Sequence, residues 1–184
     1  MRALVVAVIG IVASCGGGGD GALVVTPTEY DAAARVQVAL ADGGPLRLVK
    51  PPQGGYVSFV GARVEGLRAP LVQMDAVVRG RDGAVIARSM RVATLVANPR
   101  APSVREPDVG ELLAFVHVAL CPPSGSDGRA GARVTLELAV TELSTGRAAS
   151  ATRDLTLACM QVDPGDRAAC ECTCAGDYRL GKCP

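Results

Sequence analysis

The chain has 184 residues with 19 basic and 18 acidic side chains, a formal charge of +1. Nothing in that balance forms a basic stripe, which argues against nucleic acid as a partner. Tryptophan is absent and the aromatics are Tyr30, Tyr56, Phe59, Phe115 and Tyr178, so a sugar-binding platform or a Trp-rich hot spot is not encoded and the core has to be built from Val, Leu and Ala.

Met1-Arg2 places a positive charge ahead of Ala3 to Val12, an unbroken run of small and aliphatic residues. Such a run suits a signal peptide, whereas a bilayer span needs about 20 apolar residues. Val12-Ala13-Ser14-Cys15 follows, and it resembles the lipobox of bacterial lipoprotein precursors. The resemblance implies removal of residues 1–14 as a lipoprotein signal peptide. It also implies transfer of a diacylglyceryl group to the Cys15 thiol, palmitate-type acylation and anchoring to a membrane. The same residues suit an ordinary secretory cleavage site, but the cysteine count favours acylation. Seven cysteines less Cys15 leave an even six, as an exported chain prefers. Gly16, in place of the Asp that retains some lipoproteins at the inner membrane, points to the outer membrane. Gly16 to Gly21 reads as a flexible tether. Leu23 to Ala34 reads either as a short helix capped by Thr28 and Asp31 or as more tether, so residues 15–34 are assigned to the lipidated cysteine and its linker.

From Arg35 the pattern is β. Arg35 to Leu40 and Leu46 to Lys50 are short runs, followed by Tyr56 to Val64. Val72, Met74, Ala76 and Val78 alternate with Gln73, Asp75 and Arg79, the period of a half-buried strand. Arg81-Asp82-Gly83 marks a hairpin turn into Val85 to Leu95. Asn98 to Pro107, with three prolines, reads as a loop, and Leu112 to Cys121 as a strand covered on both faces. Val134, Leu136, Leu138 and Val140 alternate with Thr135, Glu137, Ala139 and Thr141. Ser144-Thr145-Gly146 turns the chain into a last strand ending near Cys159. Seven to nine strands and no helix of ten residues predict an all-β fold. The expectation is an antiparallel β-sandwich over residues 35–160, loosely immunoglobulin-like, with a small β-barrel as the alternative. Residues 161–184 form a disulfide-rich C-terminal tail. The layout resembles the single-domain, Cys-tailed lipoproteins of GC-rich, predatory or social bacteria.

Cys121 and Cys159 close two apolar strands that run the same way, so both fall at one end of the sandwich, and a Cys121–Cys159 bridge is the favoured pairing. It would enclose about 38 residues and contribute roughly 4 kcal/mol. Cys170, Cys172, Cys174 and Cys183 would pair within the tail or reach back to the sandwich. The alternative is a metal or redox centre on those four, because Cys-x-Cys-x-Cys puts alternate thiols on one side of an extended chain. Exported thiols are normally oxidised, however, and zinc sites more often use Cys-x2-Cys.

Little else suggests chemistry. His117 is the sole histidine and sits mid-strand, where a packed or hydrogen-bonded role is expected. No nucleophile elbow, phosphate loop or dinucleotide fingerprint occurs. Glu106, Asp108 and Glu111, and Asp163 with Asp166, are acidic clusters that suit solvated loops, a calcium site or an unrecognised hydrolase. The expected function is therefore non-enzymatic: a lipid-anchored envelope protein, held to the membrane through Cys15, that binds a protein partner or serves in adhesion or structure, without cofactor or resident metal.

Overall fold

The computed structural model describes residues 21–121, 129–175 and Cys183. Cys15 and its lipobox lie outside the described residues, as does Tyr178. Among the described residues there are eleven strands, one α-helix and one short 3-10 helix (Leu112–Ala114). In chain order the strands are β1 (Val24–Asp31), β2 (Val36–Ala39), β3 (Pro45–Arg47), β4 (Tyr56–Glu65), β5 (Leu71–Arg79) and β6 (Val85–Thr94). They continue with β7 (Val96–Asn98), β8 (Ala101–Glu106), β9 (Val116–Cys121), β10 (Arg133–Glu142) and β11 (Ala148–Ala158). Helix α1 spans Pro164–Thr173.

The strands form two sheets. The first runs β2-β1-β4-β8-β7, with β9 also paired to β4; the second runs β3-β11-β10-β5-β6. The expected all-β fold is thus the observed one. The sheets curl towards each other, with β9 packed beside β6 and β1 beside β11. The alternation read in the sequence fixes which faces meet. Val72, Met74, Ala76 and Val78 of β5 are buried, as are Val134, Leu136, Leu138 and Val140 of β10. The antiparallel register sets Val78 opposite Leu136 and Met74 opposite Val140. The main core is built largely of Val, Leu and Ala, with Met74 and Tyr56 among them.

Three aromatics lie elsewhere. On β4, Val60, Ala62 and Val64 enter the main core, while Phe59 points to the opposite face and joins Tyr30 and Phe115 there. Phe115 packs over Gly61, where an added Cβ would lie 3.1 Å from its ring and 2.9 Å from Thr28 Oγ1. Glycine in a strand interior is explained by that close approach. Gly61→Ala is expected to destabilise the fold by about 1–3 kcal/mol through overpacking, read as a lower denaturation midpoint at unchanged m-value.

Four expectations are corrected. Leu23 to Ala34 is neither helix nor tether: β1 lies between β2 and β4, so the sandwich begins at Val24. Its residues are buried on both faces, because Val25 enters the main core and Tyr30 the aromatic cluster. Asp31 does accept N–H groups, from Ala33 and Ala34 at 3.0 Å, but in the turn that leads to β2. Asn98 to Pro107 is a hairpin, β7–β8, closed by Asn98 Oδ1 accepting from Arg100 N at 2.8 Å and Ala101 N at 3.1 Å. Pro99 stands in the turn and Pro107 follows the last strand residue. Leu112 to Cys121 starts as the 3-10 helix, and only Val116–Cys121 is strand. Finally, the tail contains a ten-residue helix. Asp163 caps it by accepting from Asp166 N at 3.0 Å, and Pro164 occupies its first turn, where no N–H is required.

Candidate functional site at the disulfide end

Register locates the ends of the sandwich. Tyr56 opposes Cys121, and β10 begins and β11 finishes nearby. At the other end Val24 opposes Glu65, and Arg147 Nη2 donates to Gly21 O at 2.7 Å. Residue 21 and the cysteine cluster therefore stand at opposite ends, separated by the ten residues of β10, about 30 Å at 3.3–3.4 Å per residue.

All six described cysteines are bridged, as expected, but not in the favoured pairing. The bonds are Cys121–Cys174, Cys159–Cys170 and Cys172–Cys183. Cys121 and Cys159 do share an end. The correction comes from the helix: Cys170 and Cys174 are one turn apart on one face of α1, so each captures one strand-end cysteine. Both are fully buried. The helix also overturns the alternate-thiol arrangement assumed for a metal centre on Cys170, Cys172, Cys174 and Cys183. Cys172 leaves on the other side of α1 and bonds Cys183. The Sγ atoms of Cys159, Cys170 and Cys174 do lie within 4.8 Å of one another.

Helix α1 is also docked without covalent help. Arg129 N donates to Cys174 O at 2.8 Å, Gln161 Nε2 donates to Leu48 O at 2.6 Å, and the Arg167 guanidinium caps Gln161 O. Tyr56 is buried beneath this end. Burial, and then the charge of Asp166, push its hydroxyl above the ordinary tyrosine value.

The same end carries two adjoining hollows of about 370 and 390 Å³ that share Arg81, Arg133 and Val134. Arg81 lies in the β5–β6 turn and Arg133 starts β10. Both are exposed, and neither guanidinium has a hydrogen-bond or ion-pair partner among the described residues. Arg129, in the second hollow, is fixed by donating to Leu120 O at 2.6 Å. Among the described residues Asp154 is the one carboxylate that lines either hollow, and it accepts from Thr135 Oγ1 at 2.8 Å. Three guanidinium groups against one carboxylate favour an anionic ligand. Sequence reading missed these arginines, since only the fold brings residues 81, 129 and 133 together.

No protein-family model, curated protein or solved structure matches this chain.

His117 Nε2 lies 2.9 Å from Leu112 O, which can only accept, so the ring nitrogen donates; Phe59 packs edge-on at 4.7 Å. That is the packed, hydrogen-bonded role expected of it. The two acidic clusters do not meet. Glu106 accepts from Arg63 Nε at 2.9 Å and Asn98 Nδ2 at 2.8 Å, toward the end nearer Gly21. Asp108 accepts from Gly110 N, and Glu111 precedes the 3-10 helix. Asp163 caps α1 at the far end, with Asp166 in its first turn.

Two buried carboxylates went unnoticed in the sequence. Glu29 reaches from β1 to the second sheet, accepting from Arg47 N at 2.8 Å and pairing with the Arg47 guanidinium. Arg47 O in turn accepts from Ser58 Oγ at 2.7 Å, so one residue of β3 is joined to both β1 and β4. Burial outweighs the attraction of Arg47 and raises the Glu29 carboxyl above its ordinary value. Glu142, the other, closes the end near Gly21. Both are held by structural partners, which sets them apart from a poised acid–base pair.

Proposed function

We propose that this chain is an exported lipoprotein, anchored through Cys15 to the outer membrane of a bacterial envelope, and that its sandwich is a non-catalytic binding module. The observation that carries the reading is the polarity of the domain. Gly21, six positions after Cys15 in the sequence, stands at one end, and the disulfide end with its arginine-lined hollows lies about 30 Å away. A lipid at Cys15 would hold the first end at the membrane and present the second outward. Three disulfides support export, because such bonds persist in oxidising compartments. The excess of guanidinium groups favours an acidic partner, such as a carboxylate-rich protein surface of the envelope.

The test uses two variants in the native host. Cys15→Ser is expected to move the chain from the membrane fraction to the soluble one, and a variant that stays membrane-bound would sink the anchor. Arg81→Glu with Arg133→Glu is expected to stay membrane-bound yet lose the cross-linked species that the parent chain forms. An unchanged cross-linking pattern would remove the arginine hollows as the binding surface.

A further inference from the structure

We propose that Cys121, Cys159, Cys170 and Cys174 form a tetrathiolate zinc site when the chain is reduced, so that one end of the sandwich is closed either by two disulfides or by one Zn²⁺. Tetrahedral zinc holds thiolates at about 2.3 Å, which sets neighbouring sulfurs about 3.8 Å apart. Here the sulfurs of Cys159, Cys170 and Cys174 already lie within 4.8 Å of one another, and that of Cys121 is bonded to Cys174. The donors come from firm positions: the end of β9, the residue after β11, and two successive turns of one helix face. Cys121, Cys170 and Cys174 are fully buried and Cys159 is partly exposed, leaving a path for the metal.

Hydrogen bonds act beside the disulfides to bring the quartet together. The Arg129–Cys174 and Gln161–Leu48 hydrogen bonds tie the helix and its leading residues to the sandwich as well. Four thiolates around one Zn²⁺ carry a net charge of −2. The Arg129 guanidinium, fixed on the carbonyl of Leu120 beside Cys121, opposes that charge. Reduction is supplied from outside. A phosphine and a water give each disulfide two electrons and two protons and leave as phosphine oxide. Zn²⁺ then displaces the four thiol protons to solvent. Cys172 and Cys183 take no part, in contrast to the Cys-x-Cys-x-Cys set that the sequence suggests.

The test is a Co²⁺ titration of the full chain carrying Cys15→Ala, reduced with phosphine and desalted without oxygen. One equivalent is expected to bind with the visible bands of tetrahedral cobalt thiolate and to be displaced by Zn²⁺. Cys172→Ser with Cys183→Ser should leave stoichiometry and spectrum unchanged. Cys159→Ser with Cys170→Ser should lower affinity by more than the about 10–100-fold typical of losing an outer-shell partner. The proposal fails if the reduced chain takes up no equivalent of Co²⁺. It fails equally if the first double variant loses the site while the second keeps it.

Discussion

Glu142→Ala is expected to cost about 1–3 kcal/mol of folding stability, because it takes the shared acceptor from several part-buried donors. The Glu142 side chain is wholly buried. One oxygen accepts from Arg68 N at 2.6 Å and Ala69 N at 2.5 Å. The other accepts from Thr145 Oγ1 at 2.6 Å and lies 3.4 Å from Arg147 Nη1. Arg147 also donates to Gly66 O and Gly21 O, so this carboxylate organises three chain segments at once. The Thr145 hydrogen bond, then the Ala69 and Arg68 amides and the Arg147 charge, outweigh burial and hold the carboxyl below its ordinary value of 4.5. A depressed folded value gives a contribution that is complete above about pH 4.5 and lost as pH falls through the folded value. Denaturant unfolding as a function of pH measures it. The parent should lose stability below that pH faster than Glu142→Gln does. Equal slopes would show that Glu142 is not the acid-sensitive group. Glu29 acts in the opposite sense, since its raised value disfavours the charged form in the fold, and Glu29→Gln separates the two.

Removing the Cys121–Cys174 bond, by Cys121→Ala with Cys174→Ala, is the second large effect. Its partners are 53 positions apart, for which chain entropy gives about 4 kcal/mol. Cys159–Cys170 and Cys172–Cys183 each span 11 positions, worth about 3 kcal/mol each. Denaturation midpoints of the three paired variants should follow that order at similar m-values. A Cys121–Cys174 variant less affected than either of the others would place the stabilisation in native packing instead of the unfolded chain. Non-reducing peptide mapping of the parent should recover 121 linked to 174.

The features legible in the sequence were those set by local period. Val72 to Val78 and Val134 to Val140 alternate cleanly because one face is core and one is solvent, and both strands appear where expected. The Arg81-Asp82-Gly83 turn was legible for the same reason, with Gly83 at φ 79°. β1 was not, since a strand buried on both faces shows no alternation, and Thr28 with Asp31 imitates a helix start. Helix α1 was hidden by its cysteines, which suggest extended chain, although Asp163-Pro164 is a legible start signal. The convergence of Cys121 and Cys159 at one end followed from counting strand directions. Their true partners depended on the helix. Glu29, Glu142 and the arginine hollows were out of reach, because each is defined by groups distant in the chain.

β3 pairs with β11 in parallel, Pro45 beside Thr156 and Arg47 beside Ala158, so its partner arrives about 110 residues later. A chain made from its N-terminus therefore carries β3 as an unpaired edge until almost all of it has emerged. The Glu29–Arg47–Ser58 contacts can assemble early, but sheet closure waits for β11, and the last disulfide partners follow still later. Long-range closure of this kind places folding in the millisecond-to-second range. In that interval the apolar strands β4 and β5 are open to pairing with other chains. Folding yield, more than final stability, is then the quantity most sensitive to the strand that is made last.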